Sequence, residues 1–490
     1  MFSILHITDL HRLKSDPLSN SELLSALVGD RERYVKETPP IKAPDAIVVS
    51  GDVVQGVALN HTDYKAEIDK QYSAAHDFLV QLTDRLLGGD RTKVVIVPGN
   101  HDIDWNVAYE AMEQIEEGDN FPTNLPTALH EPGSPYRWDW KSCRLYKIKD
   151  KIGYANRLAS FWKFFENFYG DFDGLLKVRP WSDANLYSLD EKRIGVAAFN
   201  SCTGNDCFAF HGEIPREAIA QAHLDLTDRG PWRLQIAVWH HDVEGPPNRT
   251  DYMDLDIVRG MIGRGFRLGL YGHQHRTQIT PTHARLYDEE TMVIASAGSL
   301  CAGRKELPTG ALRGYSIVEI ADDYRSARIH VREMNVANLF SRAVLRDFSG
   351  ASYVDMEWTL PVDAAGRPLD VTAEERVAIL RQAEDALNRD LNPVRALGLL
   401  SGIDVAGDEF ARKLTVEAAI ASGDPKTVIG VVSIPTSQAE LIHVVDAYAN
   451  IGKHEIAETQ LQEHSARLGL TQLLQEEILS KIRMKKWNLK

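Results

Sequence analysis

At 490 residues the chain is longer than one ordinary hydrophobic core serves, and two domains are expected. Its apolar and charged fractions are those of a water-soluble globular protein, no run approaches the apolar length of a membrane span, and the N-terminus lacks the basic start and apolar middle of a signal peptide, so a cytoplasmic protein without a membrane partner is expected. The net charge of −15 excludes nonspecific duplex binding by bulk electrostatics, and the four cysteines (Cys143, Cys202, Cys207, Cys301) have neither paired metal spacing nor the number for a disulfide framework.

In chain order, Phe2 to Thr8 reads as a buried strand that stops at Asp9-Leu10-His11. Asp9 and His11 are two apart, so in extended chain they project to the same side and suit one shared cation. His6, inside the strand, reads as a packed core histidine. Ala46 to Ser50 is a second buried strand, ending in Gly51-Asp52, where Asp52 alone would pass for a turn or N-cap residue. Helically spaced apolar residues between Thr62 and Leu87 predict a crossover helix into the next strand.

Val94 to Val97 is rich in β-branched residues, as a central parallel strand should be, and it breaks at Pro98-Gly99 into Asn100-His101-Asp102. Gly99 is expected to permit a sharp turn, and Asn100 offers a carbonyl oxygen to a cation. Residues 104–190 read as an inserted excursion. Its aromatic helix, Phe161 to Tyr169, is either a packed core or a base-stacking platform, and core packing is the simpler reading.

Strands resume at Arg193 to Phe199, then Leu234 to Trp239 ending in His240-His241-Asp242, and Phe266 to Tyr271 ending in Gly272-His273-Gln274-His275, with a helix from Pro215 to Leu226 between the first two. The repeated order is strand, break, ligand-type residue. Thr291 to Ser296, Gly314 to Ile320 and Ala327 to Glu333 alternate and are expected to close a second sheet, with Ala297-Gly298-Ser299 as a plain turn beside the site. Residues 1–357 are thus assigned to one domain and 358–371, with Pro361, Gly366 and Pro368, to a linker. Residues 372–490 open on a capping box at Thr372 to Glu375 and divide at Asn392-Pro393, Gly402, Gly423-Asp424-Pro425, Pro435 and Gly452 into short helices. This second domain reads as all-α without a clean repeat period, as a dock for a partner or another copy of the chain, and its last residues, from Lys485, as a solvated tail.

With Asp9-x-His11, Gly51-Asp52, Gly99-Asn100-His101-Asp102, His240-His241 and Gly272-His273-x-His275 present in order, the chain resembles the calcineurin-like metallophosphoesterases over residues 1 to about 335. The resemblance implies an α/β fold, a four-layer αββα sandwich with the site at strand ends. It implies that Asp9, His11 and His275 hold one divalent metal ion, that Asn100, His240 and His273 hold a second, and that Asp52 bridges them. Carboxylate, amide and imidazole donors without thiolate favour manganese, iron or zinc over calcium, manganese being the first expectation. His101 matches the family's non-ligand histidine, which protonates the leaving oxygen, and Asp102 is expected to orient it. Many members read His-x-Pro where this chain has His240-His241-Asp242, with Pro246-Pro247 further on. By position His240 is the ligand, and His241 then faces substrate or solvent.

Three functions follow as expectations. The first is a phosphodiesterase acting on a nucleic-acid backbone or nucleotide, because a phosphoesterase followed by a helical appendage is similar to nucleases that work with a partner ATPase; a role in bacterial defence against phage would fit such a plan. The second is a cyclic-nucleotide or small-molecule phosphoesterase, which suits the acidic charge. The third is a non-catalytic interaction module working through its helical domain, against which a complete donor set counts.

Overall fold

The computed structural model describes residues 1–358 and 380–488, apart from 14–17, 117, 119–120, 132, 231, 246–250, 284–290, 304–305, 323, 346–349, 382, 390, 401–404 and 406–407. The expected linker beyond Trp358, the capping box at Thr372, and Pro246, Pro247 and Gly402 lie outside the described residues. The chain divides into two compact units, Met1–Leu360 and Pro361–Lys490.

In the first unit the strands run β1 (Phe2–Ile7), β2 (Ala46–Ser50), β3 (Val94–Val97), β4 (Met112–Ile115), β5 (Tyr136–Asp139), β6 (Arg144–Ile148), β7 (Ala184–Leu189), β8 (Ile194–Phe199), β9 (Leu234–Val238), β10 (Leu268–Tyr271), β11 (Gln278–His283), β12 (Thr291–Ser296), β13 (Gly314–Ile320), β14 (Ser326–Met334), β15 (Phe340–Arg342) and β16 (Tyr353–Glu357). One sheet has the order β15-β14-β13-β1-β2-β3, with β16 also on β14; a second has the order β11-β12-β10-β9-β8-β7. Parallel pairing of β1 with β2, β2 with β3, and of β8, β9, β10 and β12 in sequence brings several carboxyl ends to one side, where the ligand-type residues follow.

Side-chain alternation packs both faces of the second sheet. Ile194, Val196, Ala198, Ile236, Val238, Leu268, Leu270, Val293 and Ala295 join the core shared with the first sheet. Ala197, Phe199, Ala237, Trp239, Met292 and Ile294 meet Ile219, Ala222 and Leu226 of helix Arg216–Thr227 and Val258, Met261 and Ile262 of helix Leu255–Ile262. Helices Tyr64–Leu87 and Ala159–Tyr169 contribute Ile68, Tyr72, Phe78, Leu79 and Leu82, and Phe161, Phe164, Phe165 and Phe168, to the first core. The result is an α/β sandwich of two mixed sheets with helices.

Three expectations about sheet membership change. β3 is an end strand, not a central one: its Val-Ile run is apolar because both faces are buried, and Val94 O at its edge accepts from Tyr169 Oη at 2.7 Å. β12 belongs to the second sheet, whereas β13 and β14 extend the first sheet antiparallel from β1. The alternation common to all three specifies strands, but not which neighbour each takes. Within 104–190, β4, β5 and β6 make a separate three-stranded sheet, while β7 already belongs to the second sheet. The aromatic helix is buried core, so it offers no stacking platform.

The second unit is helical, with Pro393–Leu400, Glu409–Ser422, Pro425–Val431, Gln438–Asn450, His454–Ser465 and Gln472–Asn488. Asp408, Asp424 and Ser437 accept backbone N–H bonds at helix starts, and Gly423 ends one helix in the left-handed conformation at φ 72°. Val416, Val428, Leu441, Val444, Val445, Leu461, Ile478 and Ile482 form its core. Lys485 is not in a solvated tail: it lies in the last helix and donates to Asp446 and to Asn450 Oδ1.

Candidate active site

Seven donors from the ends of strands spread over both sheets converge in two groups. In the first, His11 Nε2 lies 3.0 Å from His275 Nε2. His275 Nε2 is 3.2 Å from Asp9 Oδ1, and His11 Nε2 is 3.8 Å from both Asp9 Oδ1 and Asp52 Oδ2. In the second, Asn100 Oδ1 is 3.0 Å from His240 Nε2 and 2.9 Å from His273 Nδ1, and His240 Nε2 is 3.3 Å from Asp52 Oδ2. Asp52 Oδ2 thus faces both groups.

The spare oxygen of each carboxylate is fastened elsewhere. Asp52 Oδ1 accepts the His101 N–H at 2.8 Å, and Asp9 Oδ2 accepts from Thr8 Oγ1 at 2.7 Å and the His273 N–H at 3.1 Å. Asp9 Oδ1 is buried and accepts no hydrogen bond among the described residues, although imidazole nitrogens crowd it. A buried carboxylate oxygen in that position fits a cation. Two carboxylates, one amide oxygen and four imidazoles, with no thiolate, are donors for divalent transition ions.

Backbone conformation points the same way. Asp9 (φ 50°), His11 (43°), Asp52 (51°), His273 (79°) and His275 (55°) all sit at positive φ, a region costly for non-glycine residues. Strain gathered on five of the seven donors marks a site the surrounding fold forces into shape. Close approach explains the glycines: a Cβ on Gly99 would collide with Asp52 Oδ1, and one on Gly272 with Thr8 Oγ1. Gly99 itself has an ordinary extended backbone at φ −117°, so the need is for space and not for a left-handed turn.

Two of the four rings are oriented from behind by backbone carbonyls, and a third faces a carboxylate. His240 Nδ1 is 2.8 Å from Ser50 O, His275 Nδ1 is 3.0 Å from Glu306 O, and His273 Nε2 is 3.6 Å from Asp251 Oδ2. Ser299 Oγ donates to Asp9 O at 2.8 Å, so the turn at 297–299 is a buried support of the first motif. Glu306, Asp251 and Gln55 escape sequence reasoning, because two of these contacts use a backbone carbonyl and the third partner follows no motif; the sequence places Ser299 beside the site only as part of a plain turn.

Electrostatics is dominated by burial and by opposite charge. Burial disfavours charge on Asp52, yet His240, His101 and His11 more than offset it and hold the carboxyl well below its usual range; Asp9 behaves alike beside His275 and His11. Burial also works against the imidazolium of His240 and His275, but Asp52 and Asp9 respectively raise both to about 9. His6 is a core residue, 2.9 Å from Ser50 Oγ, and burial lowers it to about 3.

Two expected roles are corrected. His241 does not face substrate or solvent. It is fully buried, with Nδ1 2.9 Å from Ser201 Oγ and Nε2 3.1 Å from the Asn205 carboxamide, because alternation past β9 turns it away from the side where His240 meets Asn100. Asp102 does not orient His101. Its Oδ2 accepts the N–H groups of Gly99 (2.8 Å) and Val53 (3.1 Å) and its Oδ1 lies 3.1 Å from Tyr72 Oη, so it clasps two motif turns together; burial, then Asp52, pushes it up to about 7. His101 is oriented by Gln55 O, 2.7 Å from Nδ1, which leaves Nε2 to hold or give a proton; burial lowers its pKa.

The family profile described as calcineurin-like phosphoesterase matches residues 2–277. Among solved structures, the chain is similar to the calcineurin-like phosphoesterase YfkN of Bacillus subtilis, at 12% identity over 78% of this chain and 96% of that one with a TM-score of 0.31. It is also similar to a 5'-nucleotidase of Candida albicans, at 12% identity over 65% of this chain and 47% of that one with a TM-score of 0.32. GAP50, the anchor in the inner membrane complex of Plasmodium, matches at 9% identity over 77% of this chain and 93% of that one with a TM-score of 0.34. No curated protein matches. The chain belongs to the calcineurin-like phosphoesterase family, whose members hydrolyse phosphoesters with divalent metal ions.

Proposed function

We propose that the first unit is a two-metal phosphodiesterase acting on a nucleic-acid backbone or nucleotide. The observation that carries this reading is the single oxygen, Asp52 Oδ2, facing both donor groups. Asp9, His11 and His275 would hold one ion, Asn100, His240 and His273 the other, and Asp52 both. Bound there, two divalent ions supply the charge that activates water and polarises a phosphoryl group, with manganese the preferred pair. His101, its Nδ1–H donating to Gln55 O, would give the leaving oxygen a proton from Nε2 once the ring is doubly protonated. Gly99 and Gly272 keep the floor of the site close to Asp52 and Asp9. The helical unit, with its own core, serves as the dock for a protein partner such as an ATPase or for a second copy.

The test is a screen with Mn²⁺ against bis(p-nitrophenyl) phosphate, p-nitrophenyl phosphate, single- and double-stranded DNA and cyclic nucleotides. Turnover of the diester and of a strand is the expected result. Turnover of the monoester alone, or of cyclic nucleotides alone, would replace this reading with the small-molecule one, and no turnover at all would favour the interaction module.

A further inference from the structure

The inserted sheet carries an exposed surface that the metal-binding donors do not use. Its strands pair in the order β4-β6-β5, and alternation divides their residues between two faces. One face is fastened to the body of the unit. Arg137 donates to Asp206 Oδ2, and Tyr146 stacks on Phe208 with ring centroids 4.8 Å apart. Arg157 holds the same loop through the carbonyls of Thr203 (2.7 Å) and Asn205 (3.0 Å). That loop carries Asn205 to His241, whose ring lies 4.9 Å from that of His273. It continues to Phe210, 38% exposed, with its ring 6.0 Å from that of Trp105, four residues beyond His101. The sheet is therefore joined to the neighbourhood of the donors.

Tyr136, Trp138 and Trp140 occupy alternate positions running to the tip of the β5–β6 hairpin. Trp140 is 79% exposed, and its ring lies 6.3 Å from that of Trp138. An indole left this open to water at a hairpin tip gains apolar contact from any flat partner. The surrounding charge is the reverse of the chain's: residues 136–151 hold six Lys or Arg against two Asp, in a protein of net charge −15. Both aspartates are occupied by local turns, Asp139 accepting from Lys141 N and Ser142 Oγ, and Asp150 from the N–H groups of Ile152 and Gly153. Asp206 answers Arg137, and Glu113 answers Lys149. Lys141, Arg144 and Lys147 have no carboxylate at ion-pair distance among the described residues; Lys147 lies over the Tyr136 ring and Arg144 reaches Gln114.

We propose that the hairpin Tyr136 to Lys147 is a grip for single-stranded nucleic acid. Bases stack on Trp138 and Trp140, and Lys141 and Lys147 hold the phosphates between them. Duplex is disfavoured, because its bases are already stacked and its dense phosphate charge meets an acidic protein around a small basic patch. This deepens the reading of a phosphodiesterase and rests on it for the fate of the strand, not for its capture.

The test uses the full chain with EDTA, so that capture is measured without cleavage, and a fluorescent thymidine 12-mer followed by anisotropy across a salt series. Trp140→Ala is expected to weaken binding roughly 5- to 150-fold, the range of one base–aromatic stack, whereas Trp140→Phe keeps most of it. Lys141→Glu with Lys147→Glu is expected to weaken binding and flatten the salt dependence by about 1.4 in log–log slope. A duplex of equal length should bind more weakly than the single strand. Turnover of bis(p-nitrophenyl) phosphate with Mn²⁺ should be unchanged in all three variants, which also reports that they fold. If the variants bind the 12-mer like the parent, if duplex binds as well, or if the parent does not bind at all, the grip is overturned whatever the hydrolysis shows. Weakened binding in the variants of a protein that cleaves no diester would leave the grip standing and remove the phosphodiesterase.

Discussion

Gln55 Nε2 donates to Glu306 Oε1 at 3.0 Å, and the two residues orient different histidines through their backbone carbonyls. Gln55 O meets His101 Nδ1 at 2.7 Å, and Glu306 O meets His275 Nδ1 at 3.0 Å. The second Glu306 oxygen accepts the Gly303 N–H at 2.9 Å, which fixes that loop. One side-chain bridge therefore ties the support of the His101 imidazole to the support of the His275 imidazole.

Gln55→Ala removes that bridge and leaves the Gln55 carbonyl in the chain. A net hydrogen bond of about 0.5–1.5 kcal/mol corresponds to a loss of roughly 2- to 12-fold. The loss should appear in turnover of a diester with an alkyl leaving group and be smaller with p-nitrophenolate, while bound metal is unchanged. Equal losses on the two substrates would show that the bridge does not act through His101.

Asp52→Ala should abolish hydrolysis of every substrate and lower bound metal, since Asp52 Oδ2 faces both donor groups. Elemental analysis finding two ions per chain in the variant, with normal turnover, would remove the bridging role.

His101→Ala should keep both metals, because its ring points Nδ1 at Gln55 O and its backbone, not its side chain, meets Asp52. Loss of a general acid costs about 10²–10⁴-fold on a basic alkoxide leaving group and much less on nitrophenolate. Metal depletion with equal losses on both would make His101 a ligand.

Metal loading should release protons. Without metal, Asp52 and Asp9 raise His240 and His275 to about 9, so both rings are protonated at pH 7 and must lose that proton to bind an ion. About two protons per chain should be released at pH 7, with apparent affinity rising until about pH 9. The sign for the metal-free fold is opposite: a raised folded pKa gives stability that is complete below about 6.5, the free-histidine value, and is lost as pH passes through about 9. Calorimetry with Mn²⁺ in buffers of different ionisation enthalpy reads the proton count, and no buffer dependence at pH 7 would contradict the assignment.

A chain ending at Trp358 should hydrolyse bis(p-nitrophenyl) phosphate within about two-fold of the full protein, because the converging donors all precede that residue and Trp358 is itself buried in the first core. A truncated protein that melts cooperatively but has lost this activity would show that the helical unit shapes the site.

The sequence was most legible where one residue type admits one physical role. Apolar runs ending in Gly and a ligand-type residue located β2, β3 and β10, because burial is written locally, while the set of seven converging donors followed from the resemblance carried by the ordered motifs. Neighbour choice was not legible: β12 and β13 read alike, yet tertiary packing sends them to different sheets. His240 and His241 are chemically identical neighbours, and only the direction each takes after β9 separates a donor from a buried prop. Asp102 beside His101 suggested a pair, but three-dimensional proximity gave the carboxylate to Gly99 and Val53 and the imidazole to Gln55 O.

The 3.2 Å approach of His275 to Asp9 also dictates an order of events during synthesis. Asp9 leaves the ribosome well before His275, so no nascent fragment ending before His275 can own a complete pair of donor groups. Contacts of such long sequence separation form late in folding, after the two sheets have met. Capture of both ions is thus deferred until the sheets of the first unit are nearly complete, and a chain stalled or terminated before His275 is born without the full donor set.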